Sequence, residues 1–112
     1  MFKLINLRGD SIRLDDRGVS EMVNDACRRA GVYVEGICTL DDEITLICSD
    51  HESEDVIAYR FTALGDDVVA DDVYAVLRSR YDGNFRTVGA FRLADGFWTL
   101  TEQKKFVIQE KK

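Results

Sequence analysis

GICTLDDEITL, residues 36–46, can be laid over GAFRLADGFWTL, residues 89–100, so that glycine, leucine and aspartate coincide. In each stretch two short apolar runs flank a tight acidic turn, the signature of an antiparallel hairpin. The two hairpins decide the fold because the chain leads into each by the same route.

Residues 2–7, FKLINL, read as a strand ending at an Arg8-Gly9-Asp10 turn, with Ile12 and Leu14 as a brief extended piece. Val19, Met22, Val23, Ala26 and Ala30 then fall on one helical face. Asp16 or Ser20 can cap the amide end of this helix, Arg28 and Arg29 suit its carboxyl end, and Gly31 can close it in the left-handed conformation. In the second half VIAYRFTAL, residues 56–64, alternates as a half-buried strand, and Gly65-Asp66-Asp67 opens a second helix. Its apolar face is Val69, Val73, Val76 and Leu77, with Arg78 and Arg80 in the last turn and Gly83 beyond it.

Both halves therefore run strand, helix, strand, strand. Units 1–50 and 55–105 are joined by the polar connector DHESED, residues 50–55, and the QEKK tail is expected to fray. The expected architecture is one α+β domain over residues 1–112: six strands in antiparallel hairpins plus crossovers, with two helices packed on one sheet face. The other sheet face is left for solvent or a partner.

Hairpin register assigns the faces. A three-residue loop at Asp41-Asp42-Glu43 sets Leu40 opposite Ile44 and gathers Val34, Gly36, Cys38, Leu40, Ile44, Leu46 and Cys48 on one side. A two-residue loop would mix Glu35 and Thr39 with Ile44 and Leu46, so the burial pattern favours three residues. In the second hairpin a two-residue Asp95-Gly96 turn pairs Leu93 with Trp98 and Phe91 with Leu100. That aromatic face is the core face, leaving Arg86, Val88, Ala90, Arg92, Thr99 and Thr101 outside.

A chain of 112 residues fits one domain, and 46% apolar with 32% charged residues is ordinary globular composition. Neither a signal-peptide run nor the roughly 20 apolar residues of a membrane span occurs, so a cytoplasmic protein without a membrane partner is expected. Cys27, Cys38 and Cys48 sit where the pattern is apolar and read as reduced core thiols. A formal charge of −6 disfavours nucleic acid as a partner.

His51, the only histidine, has Cys48, Asp50, Glu52 and Glu54 nearby, which makes at best half a zinc site. No glycine-rich elbow brings it a nucleophile, and each Asp-Asp pair sits in a turn or helix start, where carboxylates cap free amides. GxGxxG and GxxxxGK[ST] are both absent. The sequence thus assigns no catalytic residue, metal or cofactor, and the chain reads as non-enzymatic.

Two candidate binding faces remain. Arg60, Arg86 and Arg92 each follow an aromatic residue, and strand alternation sends the rings inward and the guanidiniums outward. Among Ala58, Thr62, Val88, Ala90, Phe97 and Thr99 they form a candidate site for an anionic group or an acidic partner. On the matching face of the first unit, Tyr33, Ile37 and Ile47, beside Thr45, are more apolar than a solvated surface requires, which points to a homodimer. The functional expectation is a cytosolic protein-interaction or adaptor module self-associating through a helix-free sheet face. The alternatives are an acidic inhibitor mimicking nucleic acid and a small-ligand-binding domain using the arginine-bearing face.

Overall fold

The computed structural model describes residues 1–7, 15–41, 43–51, 56–93 and 96–104. The Arg8-Gly9-Asp10 turn, the piece at Ile12 and Leu14, most of the connector and the C-terminal tail lie outside the described residues. The element order is β1 (Phe2–Leu7), α1 (Asp16–Ala30), β2 (Tyr33–Leu40), β3 (Glu43–Ser49), β4 (Val56–Leu64), α2 (Ala70–Asp82), β5 (Phe85–Leu93) and β6 (Gly96–Lys104). The α+β class and the strand-helix-strand-strand order hold in both halves.

The strands form two three-stranded sheets, ordered β1-β3-β2 and β4-β6-β5, and every ladder is antiparallel. In each unit the helix crossover joins two parallel strands that are not neighbours. The returning hairpin strand fills the gap between them, a split β-α-β arrangement.

Asp15 caps α1, its Oδ1 accepting from Gly18 N–H at 2.8 Å, and Gly31 closes the helix at φ 68°. The cap thus sits one residue before the expected Asp16, which is free for another task. Val19, Val23 and Cys27 are buried. A second stripe spaced by four residues lies along the outer edge of β4: Asp16 Oδ2 accepts from Ala63 N–H (2.8 Å), Ser20 Oγ from Phe61 N–H (2.7 Å) and Asn24 Oδ1 from Tyr59 N–H (2.7 Å). Alternate amides of an edge strand are therefore satisfied by helix side chains in place of another strand.

The two helices do not share a sheet face. The strands divide into two sheets, and one face of the second sheet is needed inside, so α1 takes the β4 edge while α2 covers the other face of the second sheet. Thr99 and Thr101 are fully covered there, and Arg80 Nη2 donates to Thr62 Oγ1 at 3.2 Å. No α2 side chain is itself fully buried.

Tyr59, Phe61, Leu93, Trp98 and Leu100 of the second sheet merge with Val34, Ile44, Leu46 and Cys48 of the first and with the buried stripe of α1 in one core. Phe61 meets Trp98 edge to face, centroids 6.2 Å apart. The Tyr59 hydroxyl accepts from Val34 N–H at 2.9 Å, tying the two sheets together.

Both hairpin registers differ from expectation. In the first, Leu40 lies opposite Glu43 and Thr39 opposite Ile44, so the turn has two residues, with Asp41 at φ 54°. The inward pattern survives because a β-bulge between Val34 and Gly36 inserts Glu35, and each residue beyond it changes side. Val34 and Ile37 therefore both face inward, and Cys38 is exposed. In the second hairpin Leu93 lies opposite Gly96 and Phe91 opposite Trp98, a slip of two from expectation that keeps those faces. A bulge between Thr87 and Gly89 then turns Arg86 over, so the construction repeats: bulge, glycine, strand, two-residue turn.

Candidate functional site

The side of the first sheet turned away from the core carries Phe2 and Leu4 of β1, Ile47 of β3, and Tyr33, Gly36 and Cys38 of β2. Phe2 is 68% and Leu4 56% exposed, and they stand together with Ile47 on one side of the sheet. Ile47 lies between Leu4 and Gly36, its Cδ1 only 3.6 Å from where a Gly36 Cβ would stand. At the rim the Ser49 hydroxyl donates to Glu35, and His51 Nδ1 lies 3.6 Å from the same carboxylate.

Of the residues expected on this face, Tyr33 and Ile47 are there, both half-buried. Ile37 is not: the bulge sends it into the core, where a Cβ on Gly89 would come within 3.0 Å of its Cγ2. Phe2 and Leu4 complete the patch instead. Their alternation with Lys3 and Ile5 was visible in the sequence, but their side was set only by the pairing of β1 with β3.

This face has a counterpart in the second unit. By ladder register Phe2, Leu4, Ile47 and Ser49 stand where Tyr59, Phe61, Leu100 and Glu102 stand. None of those four is more than 4% exposed, because that side of the second sheet packs on the first unit. One construction thus yields a closed face in one unit and an open one in the other.

The three expected arginines are not brought together. Arg60 and Arg92 share a side of the second sheet, while Arg86 lies on the opposite side and pairs with Glu102, which is 2% exposed. Arg92 Nη1 is 3.2 Å from Asp66 Oδ1, with its guanidinium 5.8 Å from the centre of the Phe97 ring. Arg60 instead has Arg80 of α2 as its neighbour. Burial first, then the charge of Arg60, draws the Arg80 guanidinium below its ordinary range, and Asp16 opposes this. Sequence reasoning placed Arg80 only as a helix-end cation; its role depends on where α2 docks.

Cys27 and Cys48 are buried and face one another. Burial, then the neighbouring Cys48, pushes the Cys27 thiol up to about 12, and burial raises Cys48 as well, so both are poor nucleophiles. Cys38 departs from the expected set of three core thiols. Cys48 points away from His51, and among the described residues no three His, Cys, Asp or Glu side chains converge as metal ligands.

A hollow of about 280 Å³ at the carboxyl end of α1 is lined by Asn24, Cys27, Arg28, Val32, Tyr33 and Tyr59. Asn24 spends its amide on Tyr59, Cys27 is held neutral and Arg28 faces Asp25 at 3.8 Å, so these three groups are already engaged. No helix among the described residues is long and apolar enough to cross a membrane. Comparison with family models, with curated proteins and with solved structures returned no match.

Proposed function

We propose that the chain is a protein-interaction module, not a catalyst, that self-associates through the open side of the first sheet. The correspondence between the two units carries this reading: positions buried as a packing surface in the second unit, Tyr59, Phe61 and Leu100, are filled in the first by Phe2, Leu4 and Ile47, also apolar, with Phe2 and Leu4 exposed and Ile47 half-buried. Large apolar side chains grouped on an open strand face mark a contact surface.

A second copy is the occupant that suits it. The centre of the patch carries no charged side chain, so pairing it with itself about a two-fold axis leaves no ion unpaired. Elsewhere the chain is acidic, with a formal charge of −6, and the two copies repel at a distance. The patch, three strands wide, covers about 300 Å², well under the roughly 800 Å² per partner of a standard interface, so a weak, reversible dimer is expected. The three free thiols support a reducing compartment such as the cytoplasm.

Sedimentation velocity across about 10 to 500 μM tests the reading, because a weak dimer spans that range. The wild type should shift toward a dimer with concentration and Leu4→Asp should stay monomeric with its melting temperature unchanged. A wild type that is monomeric throughout, or a Leu4→Asp variant that still dimerises, refutes it.

A further inference from the structure

Beneath α2 the second sheet gathers cations and hydroxyls whose bonding is incomplete. The register sets Arg60 opposite Thr101 and Thr62 opposite Thr99, so all four share the covered side. Arg60 and Thr62 are two residues apart on β4, roughly 7 Å. Arg80 comes down from α2 onto Thr62, its Nη2 3.2 Å from Oγ1. Its Nε–H is buried without a hydrogen-bond partner, and so is the Thr99 hydroxyl, in a residue that is 0% exposed. Folded proteins seldom leave such groups unmet, and here two lie on one small stretch of sheet.

The pattern of ion pairs singles out the same place. Arg17, Arg28, Arg29, Arg78, Arg86 and Arg92 each have a carboxylate partner. Among the described residues Arg60 and Arg80 alone of the arginines have none, and they are neighbours. Arg60 and Arg80 are close enough for the charge of one to act on the other, and with no carboxylate in ion-pair contact they leave positive charge that an anion can meet.

We propose that Arg60, Arg80 and the hydroxyls of Thr62 and Thr99 form a binding site for a small molecule bearing a single carboxylate. A carboxylate offers four lone pairs in a plane, the arrangement a guanidinium fork accepts. Two guanidiniums, with Asp16 the acid whose charge acts on Arg80, leave about one positive charge to be met, which a monoanion meets and a dianion overshoots. Asp16 is itself committed to Ala63 N–H at 2.8 Å. A groove of about 660 Å³ leads from Arg60 between α1 and β4, past Phe85, and gives the remainder of the ligand room. On its wall Glu21 is paired with Arg17 at 3.7 Å, and the remaining acid, Asp16, disfavours a second negative charge. This site lies on the second sheet, away from the self-association face, so Leu4→Asp leaves it intact.

Amide and arginine Nε–H correlation spectra of the full chain, recorded during titration with acetate, inorganic phosphate or chloride at matched ionic strength, test the proposal. Acetate should move the Arg80 Nε–H and the Thr62 and Thr99 amides along saturable curves, with chloride inert and phosphate weaker. Arg60→Gln, at an exposed position, and the near-isosteric Thr99→Val should each weaken acetate about tenfold, as loss of a charge-assisted or buried hydrogen bond does. Equal response to chloride, tighter saturation by phosphate, or acetate affinity unchanged in both variants overturns it.

Discussion

Asn24 completes the ladder of Tyr59 from outside the sheet, its Nδ2 donating to the Tyr59 carbonyl at 2.9 Å while its Oδ1 accepts from the Tyr59 N–H at 2.7 Å. A side-chain amide here stands in for the peptide group of an absent strand. Asn24→Leu removes both bonds and strands two backbone groups, which should cost about 2 to 3 kcal/mol in urea denaturation. Asn24→Asp keeps the acceptor but sets a carboxylate against a carbonyl, and should lose about half as much or more.

The two sides of the first sheet separate by substitution. Ile37→Asp puts a charge into the core and should cost about 3 kcal/mol or unfold the chain, whereas Leu4→Asp, on the open side, should stay within about 0.5 kcal/mol of wild type. Thermal melts of both variants at low concentration decide it; equal losses would mean that the bulge at Glu35 does not turn Ile37 inward.

A thiol reagent at neutral pH should label Cys38 rapidly and leave Cys27 and Cys48 untouched until the protein unfolds. Cys38→Ser should abolish the fast phase, as followed by absorbance and mass.

Stability should also fall in alkali. The Cys27 thiol is raised from 9.0 to about 12 in the folded chain, so above pH 9 the unfolded chain gives up a proton that the native one keeps. Stability from this group is complete below pH 9 and drains as pH rises toward 12, by at most about 1.4 kcal/mol per pH unit. Tyr59, raised by burial from 10.0, adds to the loss above that pH. Urea midpoints measured from pH 8 upward should decline in the wild type and less steeply in Cys27→Ala.

Gly96 sits at φ 145°, and a Cβ there would stand 2.7 Å from the Leu64 carbonyl oxygen. Gly96→Ala should therefore cost more than about 2 kcal/mol, whereas Gly36→Ala, meeting only Ile47 at ordinary contact distance, should cost under about 1. Paired melts of the two variants compare them directly.

Element type was legible wherever one periodicity acted alone. The stripe of Val19, Val23 and Ala26 announced α1, the acidic turns announced both hairpins, and the alternation around Phe61 announced β4. What escaped was parity. A bulge adds one residue with no mark in composition beyond the glycine that follows it, at Gly36 and again at Gly89, and one residue was enough to move Ile37 inward and Arg86 to the far side. The Asp16, Ser20 and Asn24 stripe was visible as the polar flank of an amphipathic helix, a flank that by default meets water. Its use against a strand from the other unit depended on a docking no local pattern encodes, and so did the pairing of Arg80 with Arg60.

The sealing of β4 by α1 has a consequence for how the polypeptide is made. The helix leaves the ribosome before the strand it protects, so β4 finds its cover waiting as it emerges. Reverse that order by circular permutation, or express residues 55–112 alone, and the amides of Tyr59, Phe61 and Ala63 become a raw template for cross-chain pairing. The repeat cannot be halved without exposing a sticky edge, and such fragments should accumulate as aggregates.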